Sequence, residues 1–159
     1  MRLTPELADE LRAGLAHQVG ACATDGTPHV VRALGLVEDD DGRLSVLLSA
    51  LANPELLQAV RDTGRVAVVT CRATTLHTVQ YKGADAAVLE AEDARYRQLL
   101  TERGDAFWAD IEQLGFDRTS LAGWYDVPNG ALVRIRFTPN GAWNSTPGPG
   151  SGAPVELLP

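Results

Sequence analysis

Three polar side chains alternate along one short segment, and together they would suit an anionic ligand. Residues 74–83 have the sequence TTLHTVQYKG. In an extended strand, Thr78, Gln80 and Lys82 point to one face and the residues between them to the other. A hydroxyl, an amide and an ammonium group are costly to bury unless something polar meets them, and a phosphate-bearing ligand would do so. A solvated strand face explains the same pattern, and the spacing alone leaves both interpretations open.

The segment belongs to a series of short strands joined by tight turns. We predict six strands, at residues 19–24, 29–38, 43–49, 65–72, 74–88 and 131–138. The turns at residues 25–28 and 39–42 are too short for the crossover connections that parallel strands require. This order favours a small antiparallel barrel rather than a parallel dinucleotide-binding sheet.

Helices are expected at three places around these strands. Thr4 caps a first helix that ends near His17, and a second helix runs from Asn53 to Gly64. The longest helix covers residues 92–114, and a short helical turn follows at residues 119–125. The Gly- and Pro-rich tail from about residue 139 is predicted to pack as an irregular segment of one domain that spans residues 1–159.

Composition excludes several classes of partner. The chain has 159 residues, a net charge of −7 and a pI near 4.9, which argues against nucleic acid or an anionic membrane as the main partner. No apolar run approaches ~18 residues and no signal core begins the chain, so we expect a cytoplasmic protein. Cys22 and Cys71 are expected to be reduced, buried thiols. The three aspartates at residues 39–41 lack the glutamate that closes a calcium loop, and no metal site is predicted.

The order of several motifs resembles a known family. These motifs are the turn at residues 25–29, the strand ending at Ser49, the helix opening at Asn53-Pro54, and the segments GRVAVV at 64–69, TVQYKG at 78–83 and WNSTPGPG at 143–150. Over roughly residues 1–150 they resemble the pyridoxamine 5′-phosphate oxidase-like FMN-binding split-barrel family, and the tail looks like that of an uncharacterised bacterial branch.

The resemblance implies a fold, a cofactor and an assembly. The fold would be mainly β with helices (α+β), a six-stranded antiparallel split β-barrel of the FMN-binding type. The protein would be a homodimer with FMN at the subunit interface, an oxidoreductase that moves a hydride to or from an unidentified small molecule. In such enzymes the cofactor supplies the chemistry, so no catalytic side chain is assigned.

The resemblance also implies cofactor-binding residues. Arg32 on the second strand would lie near the flavin phosphate, where a charge-assisted hydrogen bond is worth roughly 1.5–3 kcal/mol. Ser49 and Ala50, at the end of the third strand, would contact the flavin or its ribityl chain. His77 and Thr78 match a basic-then-polar pair that opens the fifth strand.

Four further residues complete the set of candidates. Lys82 would add positive charge, Thr75 and Gln80 lie in the same segment, and Trp143 would cover the flavin ring. Each residue also has an ordinary explanation. Arg32 and Lys82 would then be solvated surface charges, and Trp143 would be a packing residue.

The sequence departs from the family where the substrate phosphate would bind. Residues 50–53 contain no basic side chain, and no Lys, Arg or His follows Arg136. A pyridoxine-phosphate substrate would have an unpaired charge, so oxidation of that substrate is not expected. Two function classes stay open: a flavoenzyme, and a non-catalytic protein that binds a flavin, haem or a deazaflavin on the same scaffold.

Overall fold

A computed structural model describes residues 1–51, 53–91, 94–120 and 131–159. The described helices are α1 (Pro5–Glu10), α2 (Pro54–Thr63) and α3 (Ala94–Glu112). The described strands are β1 (Ala16–Cys22), β2 (Pro28–Ala33), β3 (Gly35–Glu38), β4 (Leu44–Ser49), β5 (Val66–Cys71), β6 (Thr78–Gly83), β7 (Ala87–Glu90), β8 (Leu132–Phe137), β9 (Gly141–Asn144) and β10 (Pro154–Val155).

These strands form two sheets. One has six strands in the order β10-β9-β6-β5-β1-β2, and the other has four in the order β3-β4-β8-β7. Every pairing between these strands is antiparallel. The predicted fold class, a mainly β antiparallel split barrel with helices, is confirmed.

Two of the six predicted strands are each divided between the sheets. The predicted strand at residues 29–38 is interrupted at Leu34 into β2 and β3, and the one at residues 74–88 begins only at Thr78 and forms β6 and β7. Strands that pass from one sheet to the next make the corners of an orthogonal sheet packing. The divisions therefore join the two sheets into one split barrel.

The tail is more regular than predicted. Residues 141–144 form β9 on the edge of β6, and Pro154–Val155 pairs with β9 as β10. Gly141 lies where the tail joins the sheet, and a Cβ there would lie 2.4 Å from the Trp143 ring, so a larger residue would displace the ring. The prediction that the tail packs against the domain is confirmed. The prediction that it is irregular is wrong for residues 141–144 and 154–155, which form strands.

The hydrophobic core lies between the sheets and is closed at one end by α1. One transverse row illustrates it: Val19, Val68, Tyr81 and Ala142 are paired across four strands and are all buried. Thr4 caps α1 as predicted, since its side chain accepts a hydrogen bond from the Leu7 amide.

The prediction that the first helix reaches His17 is wrong. Helix α1 ends at Glu10, and His17 lies in β1. The chain turns at Gly14, where a Cβ would lie 2.0 Å from the Phe107 backbone nitrogen. The close approach of α3 therefore replaces a further helical turn.

Helix α3 packs along the outside of the barrel. Its Leu100 joins Val37 and Leu47 of the four-stranded sheet, and further on Phe107 and Trp108 form a separate cluster. The first two residues of the helix predicted at 92–114, and residues 121–125 of the helical turn predicted after it, lie outside the described residues. No helix in the described ranges is both long and apolar enough to cross a membrane.

Candidate functional site

The outer face of the six-stranded sheet brings three of the nine candidate residues into one row. Arg32 is paired with Gln18, Gln18 with Val69, Val69 with Gln80, and Gln80 with Trp143. Directly paired residues of antiparallel strands project to the same side of a sheet. The row therefore crosses five strands, and four strand spacings separate Arg32 from Trp143 by about 19 Å.

Thr78 and Lys82 flank this row on the same face. Along β6, Val79, Tyr81 and Gly83 are buried, whereas the residues that alternate with them are half-buried or exposed. The sequence-based prediction that Thr78, Gln80 and Lys82 share one face is confirmed. We call this surface, defined by Arg32, Gln80, Trp143, Thr78 and Lys82, the outer sheet face.

A cation and an aromatic ring meet at one end of the outer sheet face. The Lys82 Nζ lies 4.6 Å from the centre of the Trp143 ring. Trp143 is half-buried and Lys82 is exposed, so both remain accessible to a ligand. Such a pair combines a flat apolar surface with a positive charge, which are the two features that a phosphate-bearing ring system needs.

Arg32 occupies the opposite end, on the edge strand β2. Its guanidinium carbon lies 6.0 Å from the centre of the Phe107 ring of α3, a contact that holds the side chain against the helix. Arg32 is half-buried. Arg32 therefore lies on the same face as Gln80, at a distance from Lys82, and its contact with a flavin phosphate stays a prediction.

Ser49 and Ala50 lie apart from this face. Ser49 ends β4 in the four-stranded sheet, paired with Leu132, and the Ala50 amide donates to the Ala131 carbonyl at 2.9 Å. The structure thus places these two candidates in the other sheet, and their contact with a cofactor stays a prediction.

Thr75 and His77 lie in the turn before β6. The Thr75 hydroxyl accepts a hydrogen bond from the His77 amide at 3.3 Å, and His77 Nδ1 lies 2.5 Å from Glu10 Oε1. Glu10 was not a candidate, because it is 67 positions away in the chain. His77 thereby contacts α1, and its contact with a cofactor stays a prediction.

A buried carboxylate holds the same turn from the other side. Asp110 accepts from the Thr74 amide at 3.2 Å and from the Thr74 hydroxyl at 2.8 Å, and Arg72 Nε lies 3.4 Å from it. The Asp110 side chain is 7% exposed. Helix α3 thus fixes the turn that leads into the site, a link that no local pattern in the sequence shows.

The two middle strands of the outer sheet face, β1 and β5, carry mostly small side chains. Gly20, Ala67 and Val69 are half-buried there and Gln18 is exposed, and Val30, on the edge strand β2, is 66% exposed. Cys22 is exposed and Cys71 is half-buried. The expectation that both thiols are buried is therefore wrong, because both point outward from their strands.

The aspartate turn at residues 39–42 is neutralised by arginine. Asp39 accepts from Arg136 Nε at 2.8 Å and Asp41 from the Arg136 terminal nitrogen at 2.6 Å. Arg134 lies 3.6 Å from Asp39. Across the described residues no three His, Cys, Asp or Glu side chains converge as a metal site would require.

The outer sheet face fits FMN in the kinds of group it offers. Arg32 and Lys82 provide positive charge for a phosphate, Trp143 provides a flat surface, and the Gln80 amide provides both a donor and an acceptor. The half-buried apolar centre would exclude water from a bound ring.

Comparison with solved structures identifies the fold. HupZ of Group A Streptococcus has a TM-score of 0.55 at 16% identity, covering 95% of this chain and 98% of that one. An F420 reductase has a TM-score of 0.56 at 15% identity, covering 87% and 98%. A pyridoxamine 5′-phosphate oxidase-related, FMN-binding protein of Nostoc punctiforme has a TM-score of 0.52 at 14% identity, covering 91% and 86%.

No protein-family model and no curated protein matches the sequence. The likeness to solved structures nevertheless extends over nearly the whole chain. The molecule therefore has a split-barrel fold, which it shares with these three proteins. It has the fold of the pyridoxamine 5′-phosphate oxidase-like proteins, and the resemblance noted in the sequence is confirmed at the level of the fold.

Proposed function

We propose that this protein binds FMN on the outer sheet face, between two copies of the chain, and acts as a flavin-dependent oxidoreductase. The observation that supports it best is the register that aligns Arg32, Gln80 and Trp143 in one row on one face. A cation at each end of this face, an aromatic ring and an amide are the groups that a phosphorylated ring system requires.

The apolar centre of the outer sheet face supports the proposal that a second copy of the chain packs against it. An exposed valine among small residues leaves a flat surface that a sheet of the same kind can cover. If the twofold axis runs along the strands, Arg32 of one copy lies opposite the partner's Trp143, because the strand order is reversed across the interface. The 19 Å or so between these residues within one chain is then no obstacle to a shared site.

Different residues of the outer sheet face would bind different parts of the cofactor. Arg32 and Lys82 would pair with the phosphate, Trp143 would cover the ring, and Gln80 would bond a polar edge. Bound FMN would supply hydride transfer to or from a small-molecule substrate. The chain would supply binding, orientation and exclusion of water, and no acid or base is needed from it.

A vitamer phosphate is a poor substrate for this site. No basic residue follows Arg136, and Arg134 and Arg136 are themselves paired with Asp39 and Asp41. We therefore propose that the substrate carries no phosphate group. We also propose a cytoplasmic location, in keeping with two free cysteines.

A deazaflavin is the second candidate cofactor. A protein described as an F420 reductase has the same fold, with a TM-score of 0.56. The groups on the outer sheet face would hold either ring system. A non-catalytic carrier of a flavin, a deazaflavin or haem is the alternative if a ligand binds but no turnover follows.

The visible absorption spectrum of the purified protein tests the proposal. A yellow protein whose colour is bleached by dithionite supports flavin binding. The protein stripped of its cofactor should bind added FMN and become yellow again. Titrating the stripped protein separately with FMN, a deazaflavin and hemin identifies the preferred ring. Bleaching by a nicotinamide donor, followed by turnover, supports the enzyme. A colourless protein that binds none of the three overturns the proposal.

A further inference from the structure

A second basic site lies between the end of α1 and the outer side of α3. Here Arg12, Leu99, Glu102 and Arg103 line a half-open cavity of about 280 Å³. None of these residues belongs to the outer sheet face. The lining combines two arginines with one apolar side chain, Leu99.

Among the described residues, the Arg103 guanidinium has one hydrogen-bond acceptor. It is half-buried, and one terminal nitrogen donates to the Leu36 carbonyl. In the part of the chain that the structure describes, Arg103 forms no ion pair with a carboxylate. A guanidinium has five N–H donors, so several remain for a ligand.

The two arginines also act on each other. Burial, and then the charge of Arg12, lowers the pKa of Arg103 to about 10, which still leaves it charged at neutral pH. Arg12 itself pairs with Asp9 only at the exposed surface, where such ion pairs contribute little. An anion in the cavity would relieve the repulsion between the two guanidinium groups.

Two carboxylates lie near these arginines: Asp9, which pairs with Arg12, and Glu102, whose charge acts on Arg103 against the effect of burial. The one acid of the four lining residues is Glu102, whose carboxylate accepts a hydrogen bond from Gln98 at 2.9 Å. His17 is fully buried, and neither of its ring nitrogens has a hydrogen-bond partner among the described residues. Burial, and then the charges of Arg103 and Arg32, lowers its pKa to about 3. The imidazole is therefore neutral.

We propose that this cavity binds a small organic anion, with a carboxylate or phosphate group paired to Arg103 and Arg12 and a short apolar part against Leu99. A cavity of about 280 Å³ lies just below the roughly 300–1,000 Å³ range of ligand pockets. It suits a small metabolite and is too small for a flavin. The planar donors of Arg103 match either oxyanion in a two-point contact.

The test uses the oxyanions themselves as probes. The protein is titrated with inorganic phosphate and, separately, with acetate, and sodium chloride of the same ionic strength is the control. The arginine Nε–Hε signals are followed by ¹⁵N NMR. A saturable shift of the Arg103 signal with phosphate, with acetate or with both is expected, and the stronger response identifies the oxyanion. Shifts no larger than those caused by chloride would overturn the proposal.

Three substitutions locate the binding. Arg103→Met should weaken probe binding about tenfold or more, and Arg12→Met, at an exposed position, should weaken it about threefold or more. Arg61→Met, an exposed change of the same charge on α2, is the matched control and should leave binding unchanged. If Arg103→Met does not fold, Arg12→Met decides. Equal affinity in Arg12→Met and the control would overturn the proposal, while FMN binding, measured in the same samples, should not change.

Discussion

The Lys82 ammonium lies 4.6 Å from the centre of the Trp143 ring because Gly141 leaves room for it. Gly141 is paired with Lys82 across β6 and β9, and a Cβ at Gly141 would lie 2.4 Å from a ring carbon of Trp143. The glycine thus lets the indole ring lie across its own strand and reach the lysine. This arrangement provides the flat, cationic end of the proposed flavin site.

Changing Trp143 should therefore weaken the flavin site. Trp143→Ala removes the surface that would cover the ring and should reduce FMN affinity about tenfold. Gly141→Ala, which displaces the ring without removing it, should give a smaller loss. Quenching of FMN fluorescence measures both. Leu89→Ala on the other sheet is the control, and full affinity in Trp143→Ala would remove the tryptophan from the site.

Arg32 is expected to bind the phosphate. Arg32→Ala should weaken FMN binding about tenfold or more, because a charge-assisted bond worth roughly 1.5–3 kcal/mol is lost. Riboflavin, which has no phosphate, should bind the variant and the parent equally. Arg61→Ala serves as a control of equal charge. An unchanged FMN affinity would show that Arg32 is outside the site.

His17 should make stability depend on pH. Its pKa is lowered to about 3 in the folded protein, whereas an unfolded histidine titrates near 6.5. Below about pH 6.5 the unfolded chain takes up a proton that the folded chain does not, so the free energy of unfolding falls as pH drops. At about pH 5 the loss is on the order of 2 kcal/mol.

Urea unfolding at about pH 7.5 and pH 5 measures this loss, and His17→Leu should reduce it. The substitution should cost little at neutral pH, since neither ring nitrogen of His17 has a partner within the described part of the chain. His29→Gln, on the neighbouring strand, should retain the loss seen in the parent. A His17→Leu variant with the same acid sensitivity as the parent would contradict the assignment.

Asp110 should stabilise the turn before β6. Asp110→Ala leaves the Thr74 amide and hydroxyl without their acceptor and should lower the free energy of unfolding by about 1–3 kcal/mol. Asp105→Ala, which removes an exposed ion pair with Arg118, should cost less than about 1 kcal/mol. Denaturant unfolding compares the two, and equal effects would argue against a special role for the buried carboxylate.

Local patterns in the sequence predicted what depends on strand periodicity. The period of two placed Thr78, Gln80 and Lys82 on one face, and the short turns predicted antiparallel pairing. The interruption at Leu34 was not predicted, because the residues on both sides of it favour strands equally well. The fourth predicted strand and the long helix were predicted within a few residues of their observed bounds, whereas the division of the fifth predicted strand into β6 and β7 was not predicted.

Contacts between residues far apart in the chain could not be predicted from the sequence. Glu10 reaches His77, and Asp110 reaches Thr74 across 36 positions. Likewise, the end of α1 depends on how closely Gly14 approaches α3, which the pattern of leucines does not show. The pairing of Gln80 with Trp143 could not be predicted, because it depends on the register of β9. That strand lies in a tail whose glycines and prolines favour irregular structure.

The central claim is that a flavin binds where two outer sheet faces meet. Val69 lies in the middle of that face, and Val69→Arg would put a charge and extra bulk there, whereas Leu89→Arg makes the same change on β7 of the other sheet. Sedimentation velocity, recorded at a visible flavin band with added FMN, reports assembly and binding together. We predict a yellow dimer for the parent and for Leu89→Arg, and a colourless monomer for Val69→Arg. A Val69→Arg variant that sediments as a yellow dimer, or a parent protein that is a monomer without flavin, would contradict the claim.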